Sequence, residues 1–298
     1  DPTRDALDVD GDGTTSCKGD CDDGDASIGP CFSAISAGDS YNCALTPAGA
    51  IVCWGYDIFG QVSDAPTGTG YTNVSAGYNA ACALRATGAI ECWGNDAYTQ
   101  ITNAPKGTGY TALGSGTEHS CAISATGAVE CWGGNRNNDY EGVVDTPTGT
   151  GYAAVSGGYG FNCALTTSGD IECWGYDGEQ QISETPTGTG YTAVSSGEYH
   201  ACALTPEGAL DCWGYRYDTP TGAGYTSVNG GSHFTCVIDS SSAPECWGSD
   251  TYGRVSRAPT GTGYSSVSAG KGHGCAIDSL GSVECWGSDN EGQVSDTP

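Results

Sequence analysis

The dominant feature of this sequence is a repeat built around two cysteines and a tryptophan. Each copy reads Cys-x9-Cys-Trp, and seven copies follow one another at steps of 39, 39, 42, 39, 34 and 39 residues. They use 14 of the 17 cysteines and all seven tryptophans. The cysteine pairs are Cys43 and Cys53, Cys82 and Cys92, Cys121 and Cys131, Cys163 and Cys173, Cys202 and Cys212, Cys236 and Cys246, and Cys275 and Cys285. A period near 40 is typical of repeat folds in which each unit packs on its neighbours.

The second repeat shows how each cysteine pair predicts a β-hairpin. Cys82 and Leu84 share one face of a strand by period-two alternation, and Ile90 and Cys92 share a face in the same way. A turn centred on Thr87 places Cys82 opposite Cys92 and Leu84 opposite Ile90. Opposed residues of an antiparallel pair are close enough for a disulfide. We therefore predict one hairpin disulfide per repeat.

The fold class that follows is an all-β, seven-bladed β-propeller in residues 32–298. Another short strand precedes the hairpin at residues 71–77, and a Pro- and Gly-rich linker follows it, so we expect about four short strands per repeat. A β-solenoid is the alternative, although its coils are usually shorter. Residues 32–38 match residues 71–77, so we predict that this N-terminal strand closes the ring where the last repeat ends.

Cysteine content and charge limit the compartment and the partners. Seventeen cysteines without a Cys-x2-Cys pair indicate an oxidising environment, so we predict an extracellular or cell-surface protein. The sequence has no run of 18 apolar residues, and we expect no direct membrane insertion. The formal net charge of −27 argues against nucleic acid as a partner and favours divalent cations or basic proteins.

Residues 1–31 form a separate acidic segment that predicts a calcium site. Its carboxylates alternate as in the first half of an EF-hand loop, with a glycine at the sixth position. Since Gly19 stands where the closing Glu would be, Asp20 or Asp23 would have to close the loop. The candidate Ca²⁺ ligands are Asp8, Asp10, Asp12, Thr14, Asp20, Asp22, Asp23 and Asp25. The alternative is a solvated acidic tail.

Three cysteines lie outside the seven pairs, namely Cys17, Cys21 and Cys31. Cys17 can pair with Cys21 or with Cys31, and the spacing does not choose between them. The cysteine left over is either buried or available for an inter-chain disulfide.

Other titratable residues recur at fixed repeat positions. His119, His200 and His273 precede the first cysteine by two residues, where other repeats have an aromatic residue, so we expect them to pack between blades. An acid precedes the second cysteine in six repeats, and Val52 is the exception. These acids would form a cation-binding collar, be solvated, or accept backbone hydrogen bonds. No catalytic motif of known spacing is present, and we predict that the chain is not an enzyme.

The repeat resembles the regulator of chromosome condensation family in its secreted bacterial form. The likeness rests on a Ser-Ser-Gly-Glu-Tyr-His-Ala-Cys-Ala-Leu run at residues 195–204, a Cys-Trp-Gly at 212–214, and glutamines at Gln61, Gln181 and Gln293. It covers residues 32–298 and implies a seven-bladed propeller. The acidic segment resembles the calcium repeats of bacterial surface proteins, which are similar to thrombospondin type 3 repeats, and this resemblance implies calcium binding.

For function, we predict a non-catalytic extracellular protein. The leading hypothesis is a calcium-stabilised structural, adhesive or self-assembling surface subunit, for example of an extracellular filament, that associates with itself or with another surface protein. The alternative is a secreted binding module that recognises a protein or a glycan. A hydrolase that uses the acidic loops is a less favoured alternative.

Overall fold

The computed structural model describes residues 31–134, 144–215 and 217–298, which form seven three-stranded antiparallel sheets. The first three blades comprise β1 (Ala34–Ala37), β2 (Tyr41–Leu45) and β3 (Ile51–Gly55); β4 (Tyr71–Ala76), β5 (Ala80–Arg85) and β6 (Ile90–Gly94); and β7 (Tyr110–Ser115), β8 (His119–Ser124) and β9 (Val129–Gly133). Blades 4 and 5 comprise β10 (Tyr152–Gly157), β11 (Phe161–Thr166) and β12 (Ile171–Gly175); and β13 (Ala193–Ser196), β14 (His200–Leu204) and β15 (Leu210–Gly214). Blades 6 and 7 comprise β16 (Ser227–Gly230), β17 (Phe234–Ile238) and β18 (Pro244–Gly248); and β19 (Tyr264–Ala269), β20 (His273–Asp278) and β21 (Val283–Gly287).

The predicted hairpins and disulfides are confirmed in every blade. In blade 2, Cys82 lies opposite Cys92 and Leu84 lies opposite Ile90. All seven Cys-x9-Cys pairs form disulfides, with Cα–Cα distances of 4.0–4.1 Å. The hairpin that carries each disulfide is formed by the second and third strands of its blade.

The prediction of a fourth strand is wrong for the described residues, because each sheet has three strands and the described residues after the third strand form turns. After β3, the Asp57 carboxylate accepts hydrogen bonds from the backbone N–H groups of Val62 and Ser63. The Gln61 side chain accepts another from the N–H of Phe59. These donors are therefore not available for a strand ladder. We call the residues between the third strand and the proline-containing linker the turn segment of each blade.

Five turn segments, those of blades 1, 2, 4, 6 and 7, are held by the tryptophan of the next blade. The indole Nε1 of Trp93 donates to the carbonyl oxygen of Gln61 at 2.9 Å, 32 residues earlier in the chain. Trp132, Trp213 and Trp286 donate in the same way to Gln100, Gln181 and Arg254. The hydrophobic core consists of seven clusters, and each cluster lies between two adjacent blades.

A polar ladder and a glycine ring surround the axis. Side chains of the first strands accept N–H hydrogen bonds from the next blade at 2.7–3.0 Å, through Ser36, Ser75, Ser156, Ser195, Asn229 and Ser268. One glycine follows each first strand, at Gly38, Gly77, Gly116, Gly158, Gly197, Gly231 and Gly270. A Cβ atom at any of the seven would lie 2.4–2.6 Å from the carbonyl oxygen of the next glycine in the ring. Only glycine permits so close an approach of two backbones.

The N-terminal strand closes the ring, as predicted. The strand β1 pairs with β2 of its own blade and contacts β19 and β20 of the last blade. Across this junction the N–H of Ala37 donates to the Ser268 hydroxyl at 2.9 Å, and the N–H of Phe32 donates to the carbonyl of Gly281 at 2.8 Å. Within the described ranges, no helix has the length and apolar character needed to cross a membrane.

Candidate functional site

Two sets of loops emerge on the same face of the propeller. In an antiparallel three-stranded blade, the end of the first strand and the end of the third strand lie at the same edge. The loops between first and second strands therefore lie beside the turn segments, and we call this side the front face. The hairpin turns and the Pro-containing linkers occupy the rear face.

The front face carries most of the exposed aromatic surface. Among the described residues, five large hydrophobic side chains are exposed, and four of them are on front-face loops: Ile58 (73%), Phe59 (42%), Tyr215 (44%) and Tyr252 (59%). The fifth, Leu280, is at a rear hairpin turn. Nine of the 16 tyrosines in the described ranges lie on front-face loops, at Tyr56, Tyr78, Tyr98, Tyr159, Tyr176, Tyr199, Tyr215, Tyr217 and Tyr252. A concentration of exposed aromatic side chains on one side of a protein is typical of a binding surface.

A groove of about 440 Å³ crosses the front face from blade 2 to blade 5. Its aromatic walls are Tyr78, Tyr98, Tyr159 and Tyr199, and its charged side chains are Glu118, Glu198 and Lys271. We call this set the front-face groove. It adjoins the central cavity of about 220 Å³, which is lined mainly by small residues at the ends of the first strands and shares Tyr78, Thr117, Glu198 and Lys271 with the groove.

The charged groups of the front-face groove are partly desolvated. Burial raises the pKa of the Glu118 carboxyl above its usual range, although a hydrogen bond from Tyr98 acts in the opposite direction. Burial, together with the negative charge of Glu198, raises the pKa of the Tyr199 hydroxyl. Charge interactions within the groove are therefore less screened by water than those on an open surface.

Lys271 is already neutralised within the protein. Its Nζ lies 3.0 Å from the Asp39 carboxylate, donates to the Tyr78 hydroxyl at 2.7 Å, and lies 4.2 Å from the centroid of the Tyr78 ring. With Lys271 paired to Asp39, the other charged side chains among the described lining residues are the acids Glu118 and Glu198, and the Glu198 carboxylate also accepts a hydrogen bond from the Ser232 hydroxyl.

An aromatic strip continues from the groove toward blade 6. The ring of Tyr199 lies 5.2 Å from that of Tyr159 and is stacked at 5.3 Å on His233. Tyr215 contacts both His233 and Tyr217, with centroid distances of 6.0 and 5.4 Å. The connection between blades 5 and 6, which contains Tyr215 and Tyr217, belongs to the 34-residue step and lacks the Asp-x-x-Gly-Gln turn. The shortened repeat therefore places these tyrosines where other blades have a turn segment.

The three histidines pack between blades, as predicted from their repeat position. His119 Nε2 lies 2.7 Å from Asn162 Oδ1, His273 Nε2 lies 2.8 Å from Asn42 Oδ1, and His200 Nε2 lies 2.6 Å from Thr235 Oγ1. In each case the partner belongs to the following blade. Burial lowers the pKa of each imidazole to about 4. These groups are structural and do not contribute to the front-face groove.

Each of the six acids before the second cysteines accepts a hydrogen bond from a tyrosine hydroxyl of its own blade, a partner that was not among the three predicted alternatives. The pairs are Tyr71–Glu91, Tyr110–Glu130, Tyr152–Glu172, Tyr191–Asp211, Tyr225–Glu245 and Tyr264–Glu284. Blade 1 has Phe32 and Val52 at the two positions. The tyrosine and the acid are thus both absent from the same blade, and this correlation in the sequence could have identified the tyrosine–acid pairs. Burial, with the hydrogen bond to the acid, raises the pKa of each tyrosine to about 12.

The predicted calcium ligands Asp8, Asp10, Asp12, Thr14, Asp20, Asp22, Asp23 and Asp25 lie outside the described residues, as do Cys17 and Cys21. Cys31 is within them and is disulfide-bonded. In residues 31–134, 144–215 and 217–298, no three His, Cys, Asp or Glu side chains are grouped so as to hold a metal ion.

Comparisons with known proteins agree with the repeat and the fold. The profile of the regulator of chromosome condensation (RCC1) repeat matches residues 32–61, 71–100, 191–215 and 264–293. No curated relative matches the chain at the sequence level.

Two plant receptor kinase ectodomains are similar in sequence and structure. The ectodomain of CR4 from Physcomitrella patens is 26% identical with a TM-score of 0.74, and the match covers 87% of this chain and 73% of that one. The CRINKLY WD40 ectodomain of ACR4 from Arabidopsis thaliana is 26% identical with a TM-score of 0.72, over 86% of this chain and 97% of that one. Prp20p from Saccharomyces cerevisiae shares the fold at 15% identity, with a TM-score of 0.61 and 80% of both chains covered. The chain is thus a seven-bladed β-propeller in which four repeats match the RCC1 repeat profile.

Proposed function

We propose that this protein is a non-catalytic extracellular binding module that holds its partner on the front face. The observation that carries this proposal is the concentration of exposed aromatic and aliphatic side chains on that face. Four of the five exposed large hydrophobic residues of the described chain are there, beside the front-face groove. Burial of such side chains provides most of the favourable free energy in protein recognition.

The disulfides support an extracellular location. Seven hairpin disulfides are compatible with an oxidising compartment and are rare in a reducing cytosol. The two plant ectodomains, which are parts of receptor kinases, support the same location.

The environment of the histidines supports a non-catalytic role. Three of the four histidines are buried between blades with hydrogen-bonded partners, and His233 is stacked on Tyr199. None of these imidazoles is arranged beside a nucleophile in the front-face groove, and general-base catalysis needs such an arrangement.

A calcium-stabilised surface subunit that associates with itself is the second candidate function. It is favoured by the eight carboxylates in residues 5–25, which would repel one another without a cation. In that case residues 1–31 would act as a calcium-stiffened connector to a neighbouring subunit.

The front-face proposal is tested with a triple variant, Phe59→Ser, Tyr215→Ser and Tyr252→Ser, none of which lines the front-face groove. The rear variant Leu280→Ser is the matched control, since it removes an equally exposed apolar side chain. Ligands are sought among extracellular proteins and on a glycan array. We expect the triple variant to lose the ligand that wild type and the control retain, with unchanged thermal unfolding. Equal retention by the triple variant would place the binding surface elsewhere.

A further inference from the structure

We propose that the front-face groove accepts the guanidinium group of an arginine on a basic protein partner. This inference rests on the proposed function and names the chemistry that the front face recognises.

The first argument is the alternation of aromatic and acidic side chains along the groove. Tyr98 comes from the turn segment of blade 2, Glu118 from blade 3, Tyr159 from blade 4, and Glu198 with Tyr199 from blade 5. Glu118 therefore comes between tyrosines of the two neighbouring blades, and Glu198 comes between Tyr159 of blade 4 and Tyr199 of its own blade. Aromatic rings attract cations through their electron-rich faces, and a carboxylate beside them supplies the counter-charge.

The second argument is that the protein already places one of its own cations in this groove. The Lys271 ammonium lies 4.2 Å from the centroid of the Tyr78 ring and 3.0 Å from the Asp39 carboxylate. At this end of the groove an aromatic ring and an acid hold a cation together. Tyr159, Tyr199 and Glu198 repeat the combination at the other end, where none of the described lysines and arginines lines the groove.

The third argument is charge complementarity. The chain carries 36 acidic and nine basic residues, so its long-range field attracts cationic partners and repels anionic ones. Partial burial of Glu118 strengthens its attraction to a cation, since less water screens the pair.

Arginine fits these features better than lysine. A guanidinium is planar, stacks on aromatic rings, and donates two parallel hydrogen bonds to one carboxylate. The groove volume of about 440 Å³ is large enough for such a side chain together with part of its backbone. An ammonium, by contrast, is a strongly hydrated point charge and gains less from a flat aromatic wall.

The test uses the full chain and three blocked tripeptides, acetyl-Gly-Xaa-Gly-amide, in which Xaa is arginine, lysine or citrulline. Citrulline keeps the shape of arginine and removes its charge. Binding is followed by saturation-transfer NMR and titration calorimetry with wild type, Glu118→Gln, Glu198→Gln, Tyr159→Ala and the control Glu207→Gln. Glu207 lies at the rear hairpin turn of blade 5, the same blade as Glu198. Thermal unfolding of each variant confirms that it is folded.

We expect the arginine peptide to bind about tenfold more tightly than the citrulline peptide and more tightly than the lysine peptide. Both groove Glu→Gln variants should weaken arginine binding about tenfold, and Glu207→Gln should leave it unchanged. Equal binding of arginine and citrulline, or full binding by both groove variants, overturns the inference. A ligand that depends on Phe59, Tyr215 and Tyr252 but not on Glu118 and Glu198 would leave the proposed function intact while refuting the arginine site.

Discussion

The indole Nε1 of Trp54 donates a hydrogen bond to the backbone carbonyl of Gln293, a residue 239 positions later in the chain. The same bond links neighbouring blades elsewhere in the ring, where the two residues are 32 positions apart. The last turn segment thus packs against the first blade in the way that four other turn segments pack against the blade after them.

This junction predicts that Trp54→Phe and Trp93→Phe, which remove the same bond in different blades, lower the free energy of unfolding by different amounts. In Trp54→Phe, the Gln293 carbonyl keeps a hydrogen bond from Asn42 Nδ2 at 2.8 Å. In Trp93→Phe, the Gln61 carbonyl has no such second donor, because Ala81 occupies the position of Asn42. A buried carbonyl without a partner costs about 1–3 kcal/mol. We expect Trp93→Phe to lower the free energy of unfolding by about 1 kcal/mol more than Trp54→Phe, measured by guanidinium denaturation. Equal losses would contradict this account.

The buried histidines predict a loss of stability in mild acid. Burial lowers the pKa of His119, His200 and His273 to about 4 in the folded state, whereas an unfolded histidine titrates near 6.5. Between these values the unfolded chain binds protons that the folded chain does not. The free energy of unfolding therefore keeps its full value above about pH 6.5. It decreases as the pH falls toward about 4, by on the order of 3 kcal/mol for each histidine.

A variant separates this effect from the titration of carboxylates. His200→Phe introduces the residue that blades 4 and 6 carry at this position, as Phe161 and Phe234. We expect it to remove about one third of the acid-dependent loss, measured as the free energy of unfolding at several pH values between 6.5 and 4. If the free energy of unfolding of this variant depended on pH as steeply as that of the wild type, His200 would not contribute to the acid-dependent loss.

The tyrosine–acid pairs predict that blade 1 can be converted to the pattern of the other six. Phe32→Tyr alone adds a hydroxyl without a carboxylate, and Val52→Glu alone adds a carboxylate without a donor. We expect the double variant to be more stable than the sum of the two single changes by about 1 kcal/mol, the usual contribution of one hydrogen bond. A double-mutant cycle measures this coupling, and removing the natural pair with Tyr110→Phe and Glu130→Gln is the comparison. Strict additivity in both cycles would exclude a favourable pairing.

The acidic segment predicts calcium-dependent stability. Asp8, Asp10 and Asp12 are acidic residues at the positions where an EF-hand loop supplies its first ligands. We expect calcium titration to release heat and to raise the unfolding temperature, and removal of calcium by a chelator to reverse the rise. Asp10→Asn with Asp12→Asn should weaken binding at least tenfold, whereas Asp57→Asn, in a turn segment, should not change it. Calcium-independent unfolding of the wild type would refute the site.

The features that were predictable from the sequence are those fixed by local spacing. Nine residues between cysteines determine the hairpin register, so the pairing of Cys82 with Cys92 followed directly. The fourth strand was predicted in error because the Asp57 and Gln61 side chains take the hydrogen bonds of their turn segment, which is a matter of side-chain geometry. The front-face groove was not predictable from the sequence. It depends on how far each blade is rotated from the preceding one around the propeller axis, and this rotation brings Tyr98, Glu118 and Tyr159 together from three blades.

The ring of seven glycines has a consequence for how this protein tolerates change. In an open repeat array, an added methyl group can be accommodated by a small shift that spreads toward a free end. A closed ring has no free end, so a displacement at Gly77 is passed from carbonyl to carbonyl until it returns to its origin. The size of the glycine ring around the axis is thus set by direct contacts between backbones. Gain or loss of a whole repeat would change the angle between successive blades at every glycine contact. The number of blades is therefore linked to the presence of glycine at these seven positions.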